Sequence, residues 1–481
     1  MEVEDVKATV GKRLAWVGAA SSAVAVLDIL ALVLILKFWV SAEVYGIATI
    51  VVTLFGALEL AAELGLSAAI IQRPKHTHEQ LSTLFWLNIL LGLTFYACVY
   101  AAAPYLADLH GHAIIEDLFK VFGINLLLRA AYGVHSAQLK RELRFREMSI
   151  VRIFANLADF VAKVGFAIAG FGVWCFVVGH LARSFVFCVG LMSVHRFRPA
   201  LVFRPKESKA DLVFGARTAV GEILFQVYSN LDYQVVNVFF GSAAVGVYRA
   251  AYELVLEPVR FVSGVVVAVA FPAFAKVKHN LAAVMDLYVL FTRQNLVVVL
   301  SLIALIVLSA EDMLGLIFRS EYQEAAGAAR LLAGVGLLRA LSHIGPPLLD
   351  GLGRPDLSAR YQFLAATLLS GCFFGFAYAF GDSLGYASVA LAWAVGYPIA
   401  FAVLMLMVFK IAGMKFADYI LRVGKIPIAI AIAFGAALVV HLALHDQPAG
   451  LRLAAVALTL AAVELVTLRR IAGVHLLRAR S

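Results

Sequence analysis

The sequence is short of charge. Only 15% of its 481 residues are Asp, Glu, Lys or Arg, against roughly 25% in soluble domains, so a water-soluble globule of this length is excluded. Cysteine is scarce too. Cys98, Cys175, Cys188 and Cys372 each fall inside an apolar run and show no metal-ligand spacing. They read as small buried residues, and a disulfide framework is not expected. Runs of about ten residues alternating in polarity, the mark of a membrane barrel, are missing. So are a P-loop, an HExxH pair and a Cys/His zinc set, which leaves no built-in ATPase or zinc chemistry. The first apolar run, 14–36, is long and lacks a clear small-residue cleavage site, so no cleaved signal peptide is expected.

What remains is apolar. Hydrophobic residues make up 63% of the chain, mostly in runs long enough to cross a hydrocarbon core about 30 Å thick. Fourteen spans are expected, at 14–36, 44–71, 81–103, 118–138, 149–170, 173–193, 212–240, 243–271, 286–308, 326–347, 360–380, 386–408, 426–444 and 449–468. Alternate loops divide by charge. One set holds Lys140, Arg141, Arg144, Arg146, Arg196, Arg198, Arg204, Lys206 and Lys209; the other holds Asp108, Glu116, Asp117, Glu311, Asp312 and Asp446. This positive-inside pattern places both termini in the cytoplasm. It also accounts for the net charge of +9 without a nucleic-acid partner. The outer His110 and His112 read as part of a solvated loop.

The longest inner loop, 195–211, is basic with interleaved Phe and Val and is expected on the inner leaflet surface. It separates two similar blocks. Ser41–Ile50 (SAEVYGIATI) and Ser242–Ala251 (SAAVGVYRAA) each open an even-numbered span, about 200 residues apart. An offset of six spans gives a parallel repeat, related by an axis along the membrane normal.

The apolar spans carry charges that lipid does not tolerate. Arg129, Lys163, Arg183, Arg217, Arg249, Arg260, Arg293, Arg330 and Arg339 all lie within them, each costing on the order of 2.5–3.5 kcal/mol at a helix centre. Two readings compete. Near helix ends, as for Arg217, Arg260, Arg293 and Arg339, the side chain can snorkel to water. For the deeper Arg129, Lys163 and Arg183, a shared hydrated cavity is the stronger reading. Acids accompany them at helical spacing: Asp159 with Lys163, and Arg249, Glu253, Glu257 and Arg260 in one stripe. These are either intrahelical pairs or cations held ready for an anionic ligand. Glu222, Gln226, Asn230, Tyr233 and Asn237 form a further polar stripe, expected to line the cavity wall between Arg217 and Arg249. Glu59 and Glu63, four apart, suit a gate or helix packing. Asp28 near mid-membrane is either a carboxylate that couples transport to a proton or sodium ion, or the partner of a cavity Arg.

A set of short motifs runs through the first block into the second: Tyr45-Gly46, ELGLSAAIIQR (Glu63–Arg73), TLFWLN (Thr83–Asn88), QLKRELRF (Gln138–Phe145), GFGVW (Gly170–Trp174), Arg198-Pro199, Phe214-Gly215, NLDY (Asn230–Tyr233), GVYRAAY (Gly246–Tyr252) and FPAFAK (Phe271–Lys276). GLGRPD (Gly351–Asp356) follows. In order and spacing the chain resembles the polysaccharide and lipopolysaccharide exporters of the multidrug/oligosaccharidyl-lipid/polysaccharide flippase superfamily, particularly the colanic-acid exporter branch. Asp28 and the KFW that follows the first span depart from that pattern.

The resemblance implies an all-α protein of two pseudo-symmetric six-helix lobes plus two C-terminal helices. The lobes would span 1–195 and 212–410, with 196–211 as linker and 411–481 as extra helices and basic tail. It implies flipping of an undecaprenyl-diphosphate-linked oligosaccharide across a bacterial inner membrane, among membrane lipids and other polysaccharide assembly proteins, with no cofactor beyond a coupling proton or sodium ion. A multidrug exporter of the same superfamily would favour a cavity of acids and aromatics. A membrane-embedded polymerase or ligase would need larger outer loops.

Overall fold

The computed structural model describes residues 23–473, apart from 64, 73–75, 143, 207 and 278. Among these every regular element is a helix, with no strand. Each of the fourteen expected spans is helical along most of its described length. Ten helices among the described residues are long and apolar enough to cross a membrane. By contacts the chain divides into two compact units, Met1–Gly246 and Val247–Ser481.

The first unit runs through α1 (23–38), α2 (Ala42–Glu63), α3 (Leu66–Gln72), α4 (His78–His110), α5 (Ile114–Phe122), α6 (Ile124–Arg141), α7 (Phe145–Ile168) and α8 (Trp174–Val194). It ends within α9 (Lys209–Val277), which breaks at Gly241, where φ is 83° and ψ 172°. Local chemistry sets these boundaries. Thr77 caps α4 by accepting from the Gln80 N–H while the Gln80 side chain accepts from the Thr77 N–H, a reciprocal capping box. Gly111 ends α4 in the left-handed conformation that a Cβ disfavours.

Two further details position the site. Antiparallel α7 and α8 pack closely because Gly179 lies under the Asp159 and Lys163 side chains and Gly190 under Val151; small residues allow such approach in a membrane. Their outer faces present Phe154, Val161, Phe185 and Val189, as helices facing lipid should. Against α2, the early part of α9 runs antiparallel. Gly65 touches the Gly215 backbone, Gly56 the Gln226 side chain, and Gly46 the Ser242 carbonyl.

The second unit holds the rest of α9, then α10 (Leu281–Ile317), α11 (Ala326–Ser342), α12 (Gly345–Gly351), α13 (Pro355–Leu384), α14 (Ala387–Ala412), α15 (Phe416–Val423), α16 (Lys425–Ala443) and α17 (Ala449–Thr467). Pro346 and Pro347 sit in the first turn of α12, where a missing N–H costs nothing, so they restart a helix rather than kink one. Arg452 of α17 grips Asp312 of α10 with two nitrogens and donates a third bond to the His445 carbonyl.

Three sequence expectations change. The 195–211 segment is not simply laid on the leaflet. It is extended and pinned to α4: the Ala200 N–H donates to Ser82 (3.0 Å), Trp86 Nε1 donates to the Ala200 carbonyl (2.8 Å), and the Arg204 N–H donates to Thr83 (3.2 Å). His110 and His112 are not a free solvated pair. His110 is buried and meets Asn237 at 2.7 Å, and His112 meets Ser242 at 2.8 Å. Cys98 is exposed, whereas Cys175 and Cys188 are buried. The long range of these contacts hides them from sequence spacing.

Candidate functional site

A dense polar cluster among the helices of the first unit grows from two carboxylates. Glu59 and Glu63 are one helical turn apart on α2 and share a face. Arg129 of α6 reaches across and places Nη1 3.0 Å from Glu59 and Nη2 3.0 Å from Glu63. One turn earlier on α6, Asn125 donates to Glu59 as well. From α8, His180 Nε2 lies 3.6 Å from Glu59, and His180 Nδ1 is 2.6 Å from an Arg183 nitrogen. A guanidinium has only donors, so Nδ1 accepts from Arg183. The same Arg183 nitrogen lies 3.3 Å from His180 Nε2, so the guanidinium sits against the ring edge. Phe122 stands edge-on to His180, with ring centres 4.8 Å apart, and packs on Phe55.

On α7, Asp159 holds Lys163 at 2.8 Å. Asp28 of α1 is exposed and lies in the field of Lys163, Asp159, Arg183 and Arg152. Arg129, Arg183, Lys163, Asp159 and Asp28 thus all belong to the first unit. Removing one partner of such a partly buried set costs about 3–5 kcal/mol, because an unpaired charge is left behind.

The polar stripe of α9 divides. Asn230 bonds back to the Gln226 carbonyl at 2.9 Å, and Tyr233 is fully buried. Gln234, outside the stripe named from sequence, donates to Thr53 of α2 at 2.9 Å. Asn237 meets His110. Arg217 and Glu222 lie on α9, but their side chains fall outside the described set.

The second unit has its own cluster. Arg249 pairs with Glu253 one turn on, and its guanidinium sits 5.7 Å from the Tyr252 ring centre. Arg339 of α11 lies 5.8 Å from the same ring and 5.0 Å from the Trp393 ring of α14. Arg339, in the last turn of α11 as expected, is stacked on these aromatics and donates to the Tyr252 hydroxyl rather than snorkelling to water. Arg260 pairs with Glu257 while largely exposed, as snorkelling requires. Arg293 donates to the Ala472 carbonyl at 2.6 Å and so caps a helix end.

Sequence reasoning assigned Glu59 and Glu63 to gating or packing and did not see that they clamp Arg129. It also missed His180, Asn125 and Trp393. The three-residue step from His180 to Arg183 and the four-residue step from Asn125 to Arg129 were available signals.

Comparison with known proteins decides the family. Residues 35–327 match the family of polysaccharide biosynthesis proteins. The chain belongs to that family. It is 28% identical over 306 residues to the teichuronic acid biosynthesis protein TuaB of Bacillus subtilis (strain 168), a match spanning 62% of each chain. It is 25% identical over 390 residues to the lipopolysaccharide biosynthesis protein WzxC of Escherichia coli (strain K12), spanning 78% of each. Its fold is that of the lipid II flippase MurJ in an inward closed conformation, with a TM-score of 0.75 at 14% identity over 94% of this chain and 98% of that one. An inward-facing multidrug transporter of the MOP superfamily scores 0.65 at 18% identity, over 80% of this chain and 94% of that one. The family member described here is a multi-pass helical membrane protein, and the resemblance carried by its motifs holds.

Proposed function

We propose that the chain moves a lipid-linked oligosaccharide from the inner to the outer leaflet of a bacterial inner membrane, for assembly of a surface polysaccharide. The observation that carries this reading is family membership combined with guanidinium groups held inside apolar helices. A diphosphate needs cations, and arginine can present two N–H groups to one phosphate. The names of TuaB and WzxC, and the fold shared with MurJ, support the same class.

In this reading undecaprenyl diphosphate carries the sugar, and Arg129, Lys163, Arg183, Arg217 and Arg249 receive the phosphates. Asp159 and Glu253 hold Lys163 and Arg249 until the substrate arrives. Glu222, Gln226, Asn230 and Tyr233 meet the sugar. Two lobes, 1–195 and 212–410, alternate between inward and outward openings with both termini in the cytoplasm. Movement of a proton or sodium ion, with Asp28 one candidate carboxylate, supplies the energy. No bond in the substrate is made or broken.

The test is transport in proteoliposomes. A labelled polyprenyl-diphosphate oligosaccharide added on one side should become accessible to an impermeant reagent on the other, unchanged in length. Growth in length would make the protein a polymerase. Movement of cationic dyes without the lipid-linked sugar would make it a multidrug exporter.

A further inference from the structure

The chain between α14 and α16 does more than join them. Both helices are apolar enough to cross a membrane, at Ala387–Ala412 and Lys425–Ala443. A plain connection between such neighbours takes about 2–8 residues. Here 413–424 intervene, and α15 (Phe416–Val423) occupies most of them. At about 100° per residue its surface divides into three sectors. Tyr419 and Val423 form the buried sector. The Tyr419 ring lies 5.8 Å from that of Tyr288 on α10 and 5.3 Å from that of Phe409 on α14. Asp418 and Arg422 form an exposed polar sector, and Arg422 Nη1 lies 2.8 Å from Asp286 in the second turn of α10. The third sector is apolar and open: Phe416 is 62% exposed, Ile420 46% and Leu421 73%.

That division fixes how the helix lies. Its polar sector points to water with Asp286, and the open apolar sector is centred about 150° round the helix from it. A helix placed between two spans with such a face rests in the plane of the membrane surface, its apolar side dipped toward the acyl chains. Cations surround it. Lys410 ends α14, Lys415 precedes α15 and Lys425 begins α16. All three are exposed and, among the described residues, none has an acid within ion-pair distance. Arg469 and Arg470 are exposed in the turn after α17, which packs on α16. The acids close by are Asp286, which Arg422 takes, and Asp418 on the water side. Topology accounts for the sign of these loop charges, but not for a helix that turns three large apolar side chains outward among them.

We infer that α15 and the lysines around it form a docking site for anionic phospholipid in the leaflet they meet. Phe416, Ile420 and Leu421 enter the edge of the acyl region, and Lys410, Lys415 and Lys425 receive headgroup phosphates. The charge complementarity selects anionic lipid over zwitterionic lipid, because each lysine near the surface favours it by roughly fivefold. A bound lipid bridges the end of α14 to the start of α16 and keeps α15 seated on α10. The site does not depend on what the chain transports.

The test places the photoreactive residue p-benzoylphenylalanine at Leu421 or at Asp418 of the full chain. The protein is held in nanodiscs of phosphatidylcholine with a minor share of phosphatidylglycerol. Irradiation followed by mass spectrometry reads which lipid is attached. At Leu421, phosphatidylglycerol adducts should exceed its share of the bilayer about tenfold. At Asp418, on the water side, lipid adducts should be scarce. Combining Lys410→Gln, Lys415→Gln and Lys425→Gln should bring the Leu421 adducts back to the bilayer ratio, with helix content unchanged by circular dichroism. Raising salt to about 1 M should lower the excess without any substitution. Leu421 adducts that follow the bilayer ratio without the lysine substitutions, an excess that survives both the triple variant and salt, or a cross-linked dimer in place of lipid adducts overturns the site.

Discussion

Gly246 lies directly against the backbone carbonyl of Ala42, with no room for even a methyl group between them. Gly46 lies in the same way against the carbonyl of Ser242. The two contacts are related by one shift along the sequence, which takes Ala42 to Ser242 and Gly46 to Gly246. The repeat suspected from SAEVYGIATI and SAAVGVYRAA is therefore expressed as a reciprocal contact, each copy's glycine resting on the residue four before its counterpart in the other.

Adding a Cβ at either glycine should force backbone apart from backbone. Gly46→Ala and Gly246→Ala are each expected to destabilise the folded chain by about 1–3 kcal/mol. Gly435→Ala, where a Cβ meets nothing within 4 Å, should be neutral or slightly stabilising. Thermal melting of the detergent-solubilised variants checks this, and equal melting of all three would refute the close packing.

Arg129→Ala should cost about 3–5 kcal/mol, since it leaves two carboxylates facing each other without their shared guanidinium. The triple variant Arg129→Ala, Glu59→Gln, Glu63→Gln should recover most of that loss. A triple variant as unstable as the single one would mean that packing, not charge, sets the cost.

The pinned linker separates two kinds of neighbouring residue. Ser82→Ala removes the acceptor for the Ala200 N–H and Trp86→Phe removes the donor to its carbonyl, each at about 0.5–1.5 kcal/mol. Limited proteolysis should cut those variants faster between 198 and 206. Leu201 is 91% exposed, so Leu201→Ser should leave the cutting rate unchanged.

His110 and Asn237 should prove energetically coupled. In a double-mutant cycle with alanine at each position, a coupling of about 1 kcal/mol is expected for a buried side-chain hydrogen bond. A coupling indistinguishable from zero would show that the contact is incidental.

The helices were legible because bilayer thickness dictates the length of an apolar run, and a charge inside one stands out. Local pairs were legible for a similar reason. Asp159 with Lys163 and Arg249 with Glu253 are four apart, and a helix brings such residues together whatever surrounds it. Arg129 and Glu59 are on different helices, and nothing in their spacing says that α2 and α6 meet. The same holds for Ser82, Thr83 and Trp86. They look like ordinary members of an apolar span, and only the path of the linker makes them its anchor points. Arg339 was read as an end residue because its position on its own helix was all the sequence supplied; Tyr252 and Trp393 come from two other helices.

The pinned linker also bears on handling the protein. From His195 to Arg204 the loop is held to the first unit by bonds to its backbone at Phe197, Ala200 and Arg204. A reporter, protease site or chain break placed before Arg204 would therefore tear a docked segment from its seat. The same insertion next to Lys206, beyond the last of those backbone bonds and exposed to solvent, would leave them in place. The usable seam sits toward the end of the loop rather than at its middle.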